Sequence, residues 1–155
     1  MSNQIQSVDL TASSTTPLFV LGQKYIDQTG NEYKYLKANT AVSANLLYTY
    51  DEGSLVQSGL TTTVAASGKV YPLCASGIAV ASGSYGWFFT GPGVFTLTTD
   101  GATAAAAKIY TTATAGKVDD VSAGTVLIPG LSAPTAIGSA TTGTFVAAVG
   151  MYVSN

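Results

Sequence analysis

Apolar and polar residues alternate with a period of two along much of the chain, which is the spacing of a β-strand with one buried face. The clearest case is residues 24–27 and 32–37, where aromatic or aliphatic side chains alternate with charged ones. Between these segments, Gly30 and Asn31 supply the positive-φ positions that a tight hairpin turn needs. This part of the sequence therefore predicts a β-hairpin.

Further short apolar segments are separated by turn residues such as Gly, Pro, Asp and Ser. They predict strands at residues 18–21, 46–50, 61–65, 70–73, 77–80, 86–90, 94–98, 108–111, 124–128 and 144–152. Only residues 102–107, which are mostly alanine, predict a helical turn or two. Short strands at a spacing of about 8–12 residues are typical of a compact antiparallel β-sandwich or barrel. The sequence therefore predicts an all-β fold.

No shift in composition divides the chain, so we expect a single β domain over residues 18–155. Residues 1–17 end in a Ser/Thr-rich stretch, and we expect them to form a flexible N-terminal arm that can extend. The first residues have neither a basic n-region nor an apolar h-region, so we predict no signal peptide. No window approaches the roughly 18 consecutive apolar residues of a membrane-spanning helix.

The composition leaves the chain with very few charges. Of its 155 residues, 46% are hydrophobic and 9% are charged, against about 25% charged in ordinary soluble domains. No charged residue follows Asp120. Because protein surfaces normally mix charges of both signs, we expect much of this surface to be covered, in a homo-oligomer or on a larger assembly. The alternative is a monomer whose surface polarity comes from Thr and Ser alone.

The missing residue types exclude several kinds of chemistry. The chain has no His and no Arg, which removes Ser-His-Asp and Cys-His nucleophiles and bidentate phosphate recognition. A net charge of −2 argues against a nucleic-acid partner. Cys74 is the only cysteine, so it forms no intrachain disulfide, and we expect a buried, inert thiol. We therefore predict no enzyme activity, no catalytic, cofactor-binding or metal-binding residues, no cofactor and no membrane partner.

Carboxylates are the remaining candidates for catalysis. Glycoside hydrolysis needs two carboxyl groups roughly 5–10 Å apart, and Asp27, Asp51 and Asp100 could supply such a pair. The favoured alternative is that these residues organise turns, because Asp51 and Asp100 lie just before Gly53 and Gly101.

Aromatic residues offer two further hypotheses. The only tryptophan, Trp87, lies in the densest aromatic segment, residues 83–89. It fits a stacking platform for a sugar or base, but a core anchor is favoured. The early tyrosines fit an interface or cross-strand pairs on one sheet equally well, and both alternatives stay open. They are Tyr25, Tyr33, Tyr35, Tyr48 and Tyr50.

Several segments, taken in order, resemble the small capsid decoration (cement) proteins of tailed bacteriophages. Residues 21–38 (LGQKYIDQTGNEYKYLKA) look like the early hairpin of that family, and residues 81–87 (ASGSYGW) resemble its Tyr-Gly-Trp strand. Residues 108–118 resemble its Thr-Ala-Gly turn, and residues 136–138 and 143–146 its closing strands. Residues 122–136 have no obvious counterpart in the family.

The resemblance implies a structural virion protein, located on the outer surface of the capsid. Its partner would be the major capsid protein, and it would act as a homotrimer that stabilises contacts between capsid subunits. The alternative function is a phage or cell-surface adhesin, or a carbohydrate-binding β module, in which Trp87 and the tyrosines stack on sugars. An exposed Trp87 would favour this alternative, and a buried Trp87 would favour capsid decoration.

Overall fold

A computed structural model describes residues 8–51 and 53–153 of the chain. The elements of this part are, in chain order, β1 (Ser13–Ser14), β2 (Lys24–Ile26), β3 (Glu32–Ala38), β4 (Leu47–Tyr50), β5 (Leu55–Gly59), α1 (Thr62–Ala65), β6 (Tyr71–Ala75), β7 (Tyr85–Phe89), β8 (Gly93–Thr98), β9 (Lys108–Thr111), β10 (Val118–Asp119), β11 (Leu127–Ser132), β12 (Thr142–Ala147) and β13 (Tyr152–Val153). The all-β prediction is therefore confirmed.

Five strands close into a barrel in the order β7-β3-β5-β4-β6, and β6 returns to β7. The closure is narrow, because β6 and β7 are paired at one position only, Ala75 with Phe89. The ladders are antiparallel except between β3 and β5, which are parallel. Three short strands extend this sheet: β1 pairs with β7, β2 with β3, and β13 with β6.

The barrel interior is filled by aliphatic and aromatic side chains that are almost fully buried. Six of these residues come from one face of the wall strands, as the period-two spacing requires, and Val42 and Val80 come from an isolated bridge outside the strands. The cluster comprises Leu36, Ala38, Val42, Tyr48, Val56, Cys74, Val80 and Phe88. Cys74 is fully buried, as expected from the sequence.

A second sheet, in the order β10-β9-β11-β12-β8, packs against the outside of the barrel. The shared core joins Leu73 and Phe89 of the barrel wall to Leu97, Ile109 and Phe145 of the second sheet. Phe89 stacks on Phe95 with ring centroids 4.1 Å apart. The two sheets therefore share one continuous hydrophobic core.

The predicted hairpin is present as β2 and β3, with Tyr25 opposite Tyr33. Gly30 in its turn has a φ of 88°, a conformation that favours glycine. Asn31 does not share that conformation; its side-chain oxygen instead accepts a hydrogen bond from the Val94 N–H at 2.7 Å. The turn therefore also ties the barrel to β8 of the second sheet.

Two predicted strands were wrong. Residues 18–21 lie in bends and turns, and most of their side chains are exposed. The strand predicted at residues 61–65 is instead the one-turn helix α1 (Thr62–Ala65), because the Thr61 side chain accepts a hydrogen bond from the Val64 N–H and caps its first turn. A local capping hydrogen bond therefore outweighs the strand propensity of this segment.

Other boundaries also need correction. Residues 77–80 contribute only an isolated bridge from Val80 to Val42. Residues 102–107 form no helix; they contribute a bridge from Thr103 to Ile137 and a turn. The strand predicted at 124–128 lies at Leu127–Ser132, and the segment 144–152 splits into β12 and β13. The sequence pattern missed β5, because its half-polar Leu-Val-Gln-Ser-Gly composition gives no clear alternation.

The predicted N-terminal arm is described from residue 8 onward, and residues 1–7 lie outside the described part. Ser13 and Ser14 form β1 by pairing with Gly86 and Tyr85. Thus at least this portion of the arm lies against the barrel.

Candidate interaction surface

The outer face of β3 and β7 carries an aromatic cluster. Trp87 contacts Tyr35, Tyr25 and Phe19, with ring centroids 5.2, 5.8 and 5.1 Å away. Tyr35 also stacks on Tyr85 at 6.2 Å. Strand pairing explains this cluster, since Tyr35 lies directly opposite Trp87 in the β3–β7 ladder.

This cluster leaves little of Trp87 exposed. The side chain of Trp87 is 4% exposed and that of Tyr35 is 2% exposed. Part of the cover comes from the segment that precedes β2, because the Phe19 ring lies edge-on to both Tyr35 and Trp87. Trp87 is therefore a buried packing residue and offers no ring face to a sugar.

The early tyrosines lie in different environments. Tyr25, Tyr33 and Tyr35 form cross-strand contacts on the outer face of the barrel. Tyr48 lies inside the barrel, where its hydroxyl accepts a hydrogen bond from the Ser43 N–H at 2.9 Å. Burial, together with the nearby Cys74 and Glu32, raises the pKa of Tyr50 to about 12.

Two half-open pockets lie beside the buried tryptophan. One of about 240 Å³ lies between Trp87, Phe89, Phe95 and the segment Leu10–Thr11. The other, of about 160 Å³, is lined by Trp87, Tyr85, Phe19 and residues of β1. The Trp87 indole N–H is buried, and no residue in the described ranges accepts a hydrogen bond from it. The arm therefore borders open pockets on this face of the barrel.

Several strongly exposed apolar residues lie next to this cover. In the loop of residues 18–21, which we name the apolar loop, Leu18 is 67% and Val20 is 76% exposed. The loop borders an open groove of about 530 Å³, which Val8, Pro17, Gln23 and Tyr25 also line. Just beyond it, Ile26 of β2 is 63% exposed. Exposed apolar surface of this kind is typical of protein–protein contact sites.

Each of the three candidate catalytic carboxylates is held in a loop by hydrogen bonds, and Asp100 also by an ion pair. Asp51 accepts hydrogen bonds from the Leu55 N–H at 2.9 Å and the Gln57 side chain at 2.7 Å. Asp100 accepts one from the Thr114 hydroxyl at 3.0 Å and pairs with Lys117 at 3.5 Å.

Asp27 organises the hairpin turn. Its carboxylate accepts hydrogen bonds from the Thr29 N–H and hydroxyl and from the Asn31 N–H. Partial burial works against ionisation here, but these hydrogen bonds prevail and lower the pKa of Asp27 below its usual range. Among the described residues, Asp27, Asp51 and Asp100 share no hydrogen-bond partner, which is the arrangement expected of turn carboxylates.

Burial raises the pKa of the Cys74 thiol far above its usual range, so the thiol stays protonated at neutral pH. Within residues 8–51 and 53–153, no three His, Cys, Asp or Glu side chains are grouped so that they could hold a metal ion. The same part of the chain contains no helix with the length and apolarity to cross a membrane.

Comparison with known proteins found no matching family model and no matching curated protein.

Proposed function

We propose that this protein is a structural virion protein that binds the exterior of a bacteriophage capsid and stabilises contacts between major capsid protein subunits. The observation that carries the proposal is the apolar loop with its adjoining groove. Leu18 and Val20 expose most of their surface, whereas the side chains of the two core clusters are almost fully buried. Their exposure is understandable if another protein covers them in the working state.

The segments that resemble capsid decoration proteins fall on defined parts of the fold, which supports the proposal. Residues 21–38 comprise the β2–β3 hairpin, and residues 81–87 lead into β7. Residues 108–118 run from β9 through a turn to β10, and residues 143–146 lie in β12. The resemblance therefore involves strands of both sheets rather than one local motif.

The burial of Trp87 favours this function over a carbohydrate-binding module. A stacking platform requires an aromatic ring whose face is open to the ligand. Trp87 is 4% exposed, and its nearest aromatic neighbours pack against it from β2, β3 and the apolar loop. Sugar stacking would require this cluster to open.

In the proposed mechanism, the apolar loop is buried against neighbouring capsid subunits on the outer surface of the virion. Each Å² of apolar surface removed from water contributes roughly 25 cal/mol, so a single small loop binds weakly. A homotrimer would present three such loops to a symmetric lattice. Their effective concentration would then turn weak single contacts into stable attachment.

Co-sedimentation with undecorated capsid shells of the phage that encodes the protein tests the proposal. We expect saturable binding at a ratio that matches a symmetric set of lattice positions. Val20→Asp, which places a charge in the apolar loop, should abolish pelleting. Val70→Asp is the matched control, because Val70 is 68% exposed but lies outside the loop.

Absence of pelleting by the wild-type protein at concentrations on the order of tens of micromolar would overturn the proposal. Glycan binding would then be the next function to test. Equal pelleting of the Val20→Asp and Val70→Asp variants would reject the apolar loop as the contact site.

A further inference from the structure

The strand β2 lies at an edge of its sheet, since among the described residues it pairs with β3 alone. At the two ends of the strand, backbone groups of Gln23 and Asp27 form hydrogen bonds of 2.9 and 3.1 Å across the hairpin. In an antiparallel pair, the backbone groups of successive residues point alternately toward and away from the partner strand. The N–H and C=O groups of Lys24 and Ile26 therefore point away from β3.

These outward-facing backbone groups lie in an accessible part of the surface. The Lys24 side chain is 65% exposed, and Ile26 is 63% exposed. Outside the β2–β3 ladder, no described residue forms a hydrogen bond with the backbone of either one. Because they are two residues apart in an extended strand, their outward groups repeat at roughly 7 Å. This row of donors and acceptors is complementary to the backbone of an added strand.

Apolar surface flanks this edge on both faces of the sheet. On one face, Gln23 and Tyr25 line the open groove beside the apolar loop. On the other face, Ile26 is exposed. An added strand would alternate its side chains between these two faces. Its residue beside Tyr25 would then face the groove, and its residue beside Ile26 would cover that side chain.

The charges at this edge define the partner further. Lys24 lies directly opposite Lys34 in the ladder, and the Glu32 carboxylate is 2.8 Å from the Lys24 ammonium. An acidic residue across the new ladder from Lys24 would form a favourable cross-strand pair. A second copy of β2 does not supply one, because only Lys24 or Ile26 would come opposite Lys24 in such a pairing. A partner of different sequence therefore fits this edge better than a second copy.

We propose that the edge of β2 that faces away from β3 binds an extended segment of the major capsid protein as an added strand. The segment forms backbone hydrogen bonds with Lys24 and Ile26. It carries an acidic residue opposite Lys24 and apolar residues beside Tyr25 and Ile26. This inference rests on the proposed function and deepens it, because backbone pairing fixes the conformation and direction of the partner, which burial of the apolar loop alone does not.

Co-sedimentation with undecorated capsid shells tests the pairing by comparing Ile26→Pro with Ile26→Ala. Both substitutions remove the exposed side chain, but only proline removes the N–H that points away from β3, and an edge strand tolerates proline at such a position. We expect Ile26→Pro to bind about tenfold more weakly than Ile26→Ala, because a carbonyl of the partner loses its donor. Circular dichroism and acrylamide quenching of Trp87 verify the fold of both variants. Equal binding by the two folded variants would overturn the proposal.

The charge of the partner is tested in the same assay with Lys24→Glu and Lys24→Ala. Both variants lose the ion pair with Glu32, but only Lys24→Glu places a negative charge opposite the acidic residue of the partner. We expect Lys24→Glu to bind several-fold more weakly than Lys24→Ala. Equal binding would overturn the assignment of an acidic residue to the partner.

Hydrogen–deuterium exchange of the wild-type protein needs no variant. We expect two amides within residues 22–27 to exchange about tenfold more slowly on the shells than in the free protein. Residues 67–71, around exposed Val70, serve as the control and should not change. Unchanged exchange at residues 22–27 in protein that pellets with the shells would overturn the added strand and leave the proposed function intact. Absence of pelleting by the wild type would instead reject the proposed function, and this inference with it.

Discussion

Trp87 and Phe88 are neighbours in β7 and are both buried, but their environments differ. Phe88 points into the closed barrel, where Leu36, Val56 and Cys74 surround it. Trp87 points outward, and its cover includes the Phe19 ring from a loop outside the barrel wall. One face of the strand is buried by barrel closure and the other partly by a segment outside the barrel wall, so equal burial does not imply equal packing.

The largest effect should come from the barrel interior. Phe88→Ala leaves a cavity among side chains that are held by the closed ladder, so we expect the free energy of unfolding to fall by about 3–5 kcal/mol. Denaturant-induced unfolding followed by circular dichroism measures this loss. A loss below about 1 kcal/mol would show that the interior relaxes as readily as the outer face.

A smaller loss is expected where the barrel meets the second sheet, just after β7. Gly93 has a φ of 140°, and a Cβ there would lie 2.8 Å from the Asn31 Cα and overlap its side chain. Gly93→Ala should therefore lower the free energy of unfolding by about 2–4 kcal/mol, the combined effect of backbone strain and overlap.

Gly30→Ala is the matched control for this junction. Gly30 has a φ of 88°, but a Cβ there would meet nothing within 4 Å, so only the backbone strain of about 1–2 kcal/mol should appear. Equal losses in thermal or denaturant unfolding would mean that the contact between Gly93 and Asn31 adds nothing to the junction.

The outer face should respond differently to a loss of ring volume. Trp87→Phe removes apolar surface but also removes the indole N–H that has no acceptor among the described residues. These terms oppose each other, so we expect a change in unfolding free energy within about 1 kcal/mol. Phe88→Leu removes no unsatisfied polar atom, so it should lower the free energy of unfolding by about 1–2 kcal/mol. A larger loss for Trp87→Phe, measured by denaturant unfolding, would mean that its packing is as tight as that of Phe88.

The alternation in the sequence predicted the hairpin and the all-β class because those features follow from local spacing. It did not predict which surface covers each face of a strand. Trp87 was consistent with a platform or a core anchor, and the outcome depends on Phe19, which lies far away in the chain. The apolar residues 18–21 have the composition of a buried strand, but they lie in a loop between β1 and β2, where Phe19 packs on Trp87 and the other three residues are exposed.

The smallest expected effect concerns Asp27, whose turn holds together the hairpin that carries Tyr25 and Tyr33. Because hydrogen bonds from Thr29 and Asn31 lower its pKa in the folded state, ionised Asp27 stabilises the fold above its unfolded pKa of about 3.9. This contribution is lost as the pH falls through the lower pKa of the folded state.

Asp27→Asn should therefore be less stable than the wild type at pH 7, and the two should converge near pH 2. Unfolding midpoints measured across this range test the sign. Asp9→Asn is the control: hydrogen bonds from Thr11 also lower the pKa of Asp9, but Asp9 lies exposed in the arm and should change the midpoint less. If the unfolding midpoints of wild type and Asp27→Asn change in parallel with pH, the turn carboxylate does not stabilise the hairpin. The outer face of the barrel would then depend on its aromatic contacts alone.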